Sequence, residues 1–370
     1  MCLIFLYLQQ KERQTLMNAQ PIKKLRFHEL DIMRFLAAMA VLLYHYTFYA
    51  HRLNGTPEFA ADKILRYGYL GVDAFFMISG YVVLMSSMKK TPKYFFISRV
   101  VRLYPAYWVS CLLTFAVLYL VTIPGLPVVN FKLLAYNLTM LQGYFRKSDL
   151  NPVFWTLAYE IGFYFIILLL SIFKLWKHLL LVISAWLIYT LIIGFANITN
   201  PFAFFLIPKY SCCFIAGMLF YLLRIGYTAQ WKIYLLLSLC FLLNIKNSFV
   251  IMAIMNDYYH DAYAYKKYMV TTIVAAFYVF FLLSAMGKLD SERLKNPAKL
   301  GVLTYPLYLI HAFGIVGFMI WGGQINKYVL LVAVTGTALL LAAVIYQFAE
   351  RKPRAKFKAL VTKLVDTVAK

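Results

Sequence analysis

An arginine and a histidine stand eleven residues apart, Arg34 and His45, inside the apolar stretch LDIMRFLAAMAVLLYHYTFYA. Ionisable groups are costly in lipid and face a protein interior or a water-filled cavity when they occur there. Eleven residues make about three helical turns, so both side chains leave one helix face, roughly 16 Å apart along the axis. A fixed cation that can hold phosphate oxygens is thus followed by a group able to exchange a proton near neutral pH.

Other polar residues interrupt other apolar runs in the same way. Glu160 lies in WTLAYEIGFYF, Ser79 in FFMISGY and His311 in TYPLYLIH. Arg99 and Arg102 are three apart in SRVVRLYPAYW, on one face of a helix. Each alone has a plain explanation: Arg34 can snorkel, Arg99 and Arg102 can be ordinary loop charges, Ser79 beside Gly80 can serve helix packing, and His311 can be a satisfied core residue. Glu160 and His45 resist that explanation.

The elements that must position these groups are membrane helices. Of 370 residues, 63% are hydrophobic and mean hydropathy is +0.72, well above the roughly half-apolar soluble protein. The pattern predicts an all-α polytopic membrane bundle of about ten spans, near 30–50, 67–88, 104–123, 153–173, 179–197, 202–223, 231–254, 268–287, 300–321 and 327–349. Asn244, Lys246 and Asn247 interrupt the seventh. The run 130–145 is short, and lies at the interface or re-enters. Neither an internal repeat nor a pair of Gly/Pro-broken spans is visible. A net charge of +23 does not indicate nucleic acid, because the basic residues cluster in short loops. Cys2, Cys111, Cys212, Cys213 and Cys240 have no metal-site or disulfide spacing, and no metal is expected.

With the N-terminus inside, 25 Lys and Arg fall in cytoplasmic segments and 10 outside, which predicts two cytoplasmic termini. Residues 1–24 read as a cytoplasmic segment, of which 1–16 looks dispensable; 25–352 reads as one membrane domain; and 353–370 reads as a basic amphipathic tail on the anionic inner leaflet. This orientation puts His45, Ser79, Glu160 and His311 near one depth, roughly 20 Å from the cytoplasmic face. Arg34, Arg99 and Arg102 form a cationic layer below them. Tyr69, Tyr144, Phe154 and Trp155 read as an outer aromatic belt that can also stack on sugar rings.

Taken in order, these residues resemble the acyltransferase 3 family of membrane O-acyltransferases. The resemblance rests on Arg34-x10-His45, GVDAFFMISGY at 71–81, Arg99-x-x-Arg102-x-x-Pro105, Trp155 to Tyr164 as W-T-L-x-x-E-x-x-F-Y, LGVLTYPLYLIH at 300–311, and Glu350-x-x-Pro353. It covers about residues 25 to 355. Ile32-Met33, Thr156 and Thr304 depart from the residues common in the family. The resemblance implies an O-acetyltransferase of a bacterial plasma membrane, which moves acetyl from acetyl-CoA to a hydroxyl of a cell-surface or exported carbohydrate or its lipid-linked precursor.

On that reading Arg34, Arg99 and Arg102 hold the CoA phosphates. His45 acts as general base or as nucleophile, Glu160 orients its imidazole, and Ser79 or Tyr308 donates to the oxyanion. A transporter or flippase of an envelope glycan or its precursor is the alternative.

Overall fold

In lipid a backbone can satisfy itself only as helix or closed barrel, and this chain takes the first solution. The computed structural model describes residues 27–54, 58–120, 128–196, 203–259, 265–289 and 293–368, with no strand among them. The expected N-terminal segment 1–24, including Cys2, lies outside the described residues. The principal helices are α1 (His28–Tyr44), α2 (Gly71–Ser87), α3 (Pro92–Leu120), α4 (Phe131–Leu138), α5 (Trp155–Ile172), α6 (Leu179–Ala196), α7 (Ser211–Arg224), α8 (Gln230–Tyr258), α9 (Lys267–Ala285), α10 (Thr304–Ile310), α11 (Ala312–Trp321), α12 (Lys327–Ile345) and α13 (Arg354–Val368).

Among the described residues eight helical segments are long and apolar enough to cross a membrane. A ninth candidate, 304–321, is broken by a 42° bend between α10 and α11. The expected sixth span, 202–223, is replaced by a short helix and the 14-residue α7, below the roughly twenty residues a span needs. Pro208, which lacks an N–H, sits between the two pieces. The interrupted seventh run is instead one unbroken helix of 29 residues. Its polar groups find partners: Lys246 donates to the Gly194 carbonyl at 2.6 Å and Asn247 to the Lys209 carbonyl at 3.0 Å.

The bundle is tightest where α7 crosses α2. A Cβ on Gly80 would collide with the Phe214 carbonyl oxygen, and one on Gly217 with the Met77 carbonyl oxygen. Small residues let helix backbones meet this closely. Of the fourteen residues of α7, twelve are buried.

The run 130–145 forms the short helix α4 followed by turns. Asn130 caps α4 by accepting from the Leu133 N–H at 2.8 Å. The helix then runs beside α3, from Phe131 on Phe115 to the Leu138 and Thr139 carbonyls, which accept from Trp108 and Tyr104. The tail forms a helix docked on protein along one face. Helix α13 packs Phe357, Val361 and Val365 on Ile97, Val100 and Val101 of α3, and Lys93 pairs with Asp366. Leu360 and Leu364 of the same helix stay exposed.

Candidate functional site

A cavity of about 830 Å³ opens between α1, α2, α3, α5 and α10. Six of the side chains singled out above line it: Arg34, Ser79, Arg99, Arg102, Glu160 and Tyr308. From Ser86 to Val72 along α2 it runs roughly 21 Å at 1.5 Å per residue. Lys89, Lys90 and Arg354 lie toward one end, and Phe75, Phe76, Thr156 and Tyr308 toward the other. Helical spacing explains the alignment: Val72, Phe75, Phe76, Ser79, Val82, Val83 and Ser86 recur at three and four along one face of α2.

Each arginine is held differently. Arg34 forms an ion pair with Asp31 one turn earlier, at 3.2 Å. Arg102 pairs with Glu350 at 3.0 Å and lies over the Tyr305 ring. That contact gives the Glu350-x-x-Pro353 motif a purpose, because it ties the end of α12 to α3. Arg99 donates to the hydroxyls of Ser86 and Ser98, at 3.4 and 3.3 Å, and sits over the rings of Phe95 and Tyr164. Planar stacking of this kind suits guanidinium in particular.

Glu160 accepts from Ser79 Oγ at 3.4 Å and from the Tyr164 hydroxyl. Tyr164, one turn along α5, comes from the same motif and had not been singled out. Its hydroxyl leaves this carboxylate with hydrogen-bond donors in a largely apolar setting, which is what makes a charge tolerable there.

The two histidines meet beside Tyr308 and are not among the residues that line the cavity. His311 Nδ1 lies 2.6 Å from the Tyr308 carbonyl, and His45 Nδ1 lies 2.8 Å from the Val41 carbonyl. A carbonyl can only accept, so both rings carry their proton on Nδ1. His311 Nε2 is then a lone pair, and it receives the His45 Nδ1–H at 3.2 Å as the second branch of a shared bond. The chain of donors leaves His45 Nε2 as the free basic nitrogen.

Local backbone irregularities place both rings. His45 opens a π-helical turn, His45–Tyr49, a form that recurs at functional sites. His311 stands at the break between α10 and α11, where its ring takes the Tyr308 carbonyl. The neighbouring Leu309 carbonyl is held by Ser110 Oγ at 3.0 Å and Asn151 Nδ2 at 3.2 Å. Side chains thus satisfy a carbonyl beside the broken turn, as membrane proteins require.

Two expected pairings differ. Glu160 bonds Ser79 and Tyr164 on the cavity wall, while the His45 imidazole is oriented by Val41 and His311. The Tyr308 hydroxyl meets Thr156 Oγ1 at 2.8 Å and the Val153 carbonyl at 3.1 Å, so its proton is engaged rather than free for an oxyanion. Ser79 likewise spends its proton on Glu160. Asp31, Tyr164, Asn151 and Arg354 join the site without having been singled out from the sequence.

Comparison with known proteins bears on this arrangement. A family model described as "Acyltransferase domain" matches residues 27–347. The chain is 28% identical over 176 residues to "Nodulation protein 10" of Rhizobium leguminosarum bv. viciae, covering 41% of this chain and 46% of that protein. The alignment therefore spans less than half the length of that relative. No solved structure matches.

Proposed function

Because the chain belongs to the acyltransferase 3 family, we propose that it is a membrane acyltransferase that takes acetyl from acetyl-CoA entering from the cytoplasm and passes it to a carbohydrate hydroxyl. The acceptor on this reading is a cell-surface or exported glycan or its lipid-linked precursor. One observation supports the proposal: a long cavity with a cationic mouth has Tyr308 in its lining, and the Tyr308 carbonyl holds His311, the partner of His45.

The donor would lie with its nucleotide toward the mouth and its pantetheine arm along α2. In direct transfer, His45 Nε2 takes the proton of the acceptor hydroxyl as that oxygen attacks the thioester carbonyl. The C–S bond breaks, and the imidazolium returns the proton to the leaving thiolate. In the two-step route, His45 Nε2 itself attacks the carbonyl and thiolate leaves; the acceptor oxygen then displaces the imidazole, and the hydroxyl proton passes to the thiolate. Either route uses the same tautomer. Arg99 and the Ser79–Glu160–Tyr164 group line the path of the arm.

A transport reading draws on the broken α10–α11 segment, since discontinuous helices mark many transporter sites. That break has no counterpart in a paired position among the described residues. Membranes holding the protein, given radiolabelled acetyl-CoA and candidate glycans, are expected to yield alkali-labile label in the glycan. Solute counterflow without label in any acceptor would overturn the proposal in favour of transport.

A further inference from the structure

The positive charge at the cavity mouth comes mainly from residues outside the Arg34, Arg99 and Arg102 set. Arg34 is matched by Asp31 and Arg102 by Glu350. Arg99 leans on hydroxyls and rings. Beside Arg99, the charges that no ion pair among the described residues matches belong to Lys89 and Lys90, in the turn between α2 and α3, and to Arg354, the first residue of α13, which also acts on Glu350. All three line the same cavity. Arg354 is not carried on a loose tail, because α13 is docked on α3 by Phe357, Val361 and Val365 and by the Lys93–Asp366 pair at its far end.

We propose that Lys89, Lys90 and Arg354 form a rim site for the phosphorylated ribose of an acyl-CoA nucleotide, which makes the C-terminal helix part of the donor site. The inference rests on the donor reading above. The pantetheine arm of such a donor is uncharged, whereas its nucleotide end carries a pyrophosphate and a 3′-phosphate. A polyanion gains most from cations that are not already neutralised, and an arginine with two flexible lysines suits a terminal phosphate. Arg34 and Arg102, each with a carboxylate partner, have less to offer it.

Binding of acetyl-CoA and of acetyl-dephospho-CoA, which lacks only the 3′-phosphate, to the full-length protein in detergent separates the possibilities. The unmodified protein is expected to bind acetyl-CoA about tenfold more tightly, the scale of one good charged contact. Lys89→Gln, Lys90→Gln and Arg354→Gln together bring that ratio to about one, because the larger loss falls on acetyl-CoA. Arg354→Lys retains most of the preference, which a merely structural role for α13 would not require. An unaltered ratio in the triple variant, or an equal loss for both donors, overturns the rim site while the donor reading stands. No binding of either donor to the unmodified protein overturns the donor reading and the rim site with it.

Discussion

His45 Nδ1 and His311 Nε2 lie 3.2 Å apart, although 266 residues separate them. The Tyr308 carbonyl fixes the proton of His311 on its far nitrogen, so a lone pair faces His45. This arrangement does with a neutral ring what a carboxylate does in a catalytic triad: it holds one tautomer and one orientation. A neutral partner avoids a second buried charge, which would be costly in an apolar bundle. It also gives an imidazolium formed at His45 less electrostatic support than a carboxylate would.

The two histidines should therefore fail unequally. His45→Ala is expected to lower acetyl transfer by about 10²–10⁴-fold, the range of a lost general base. His311→Ala leaves the Val41 carbonyl as an orienting acceptor, so a smaller loss of about ten- to a hundredfold is expected on the same scale. His311→Gln, which keeps an acceptor, should recover part of it. The measurement is label transfer from acetyl-CoA in membranes at matched protein levels. Full activity of His45→Ala would sink both catalytic routes.

The Arg102–Glu350 pair ties α12 to α3, and its guanidinium side chain remains 32% exposed against 9% for the carboxylate. Solvent on one side weakens such a pair, so Glu350→Gln is expected to cost about 1–2 kcal/mol, below the cost of breaking a fully buried pair. Arg102→Gln combined with Glu350→Gln should cost less than the sum of the single changes. Thermal unfolding in detergent reads this coupling. Strict additivity would mean that the two residues act separately.

How much of this was legible depends on which coordinate a sequence encodes. Polar groups interrupting apolar runs marked Arg34, Ser79, Arg99, Arg102 and Glu160, and the family resemblance marked Tyr308; one cavity collects these six but not His45 or His311. Depth was estimable from orientation and rise per residue. Rotation about each helix was not, so Glu160 was assigned to His45, whereas it turns to Ser79 and Tyr164. The short α7 had a signal in Pro208. The break at His311 had none in Gly or Pro at that position, because a side chain bonded to a backbone carbonyl marks it. Glu350 was noticed as a motif, but its partner is 248 residues away and no local pattern names it.

The α2–α7 crossing makes a prediction about folding alone. Gly80→Ala places a methyl group against the Phe214 carbonyl, and backbone cannot yield as a flexible side chain does. Overpacking of this kind costs about 1–3 kcal/mol. Gly80→Leu should prevent the crossing and yield aggregated protein. Gly323 has open space where a Cβ would go, so Gly323→Ala is the matched control and should behave as unmodified protein. Monodispersity on size-exclusion chromatography and unfolding temperature are the measurements, and equal behaviour of Gly80→Ala and Gly323→Ala would refute the tight crossing.

Tyr308 lines the cavity with its ring 5.5 Å from that of His311, and its hydroxyl is tethered to Thr156 and the Val153 carbonyl. Closing an active site against water protects a reactive acyl group. If Tyr308 has that role, removing only the hydroxyl loosens the tether but keeps the ring. Tyr308→Phe should then retain transfer within about tenfold, as expected for one lost neutral hydrogen bond. Tyr308→Ala opens the wall, and should raise hydrolysis of acetyl-CoA in the absence of acceptor while transfer falls. The same double variant with His45→Ala should lose that hydrolysis, since the base is gone. Free CoA released without acceptor, followed with a thiol reagent, reports the leak. A Tyr308→Phe protein as inactive as His45→Ala would instead assign the hydroxyl to the chemical step, and with it the oxyanion role that the present tether argues against.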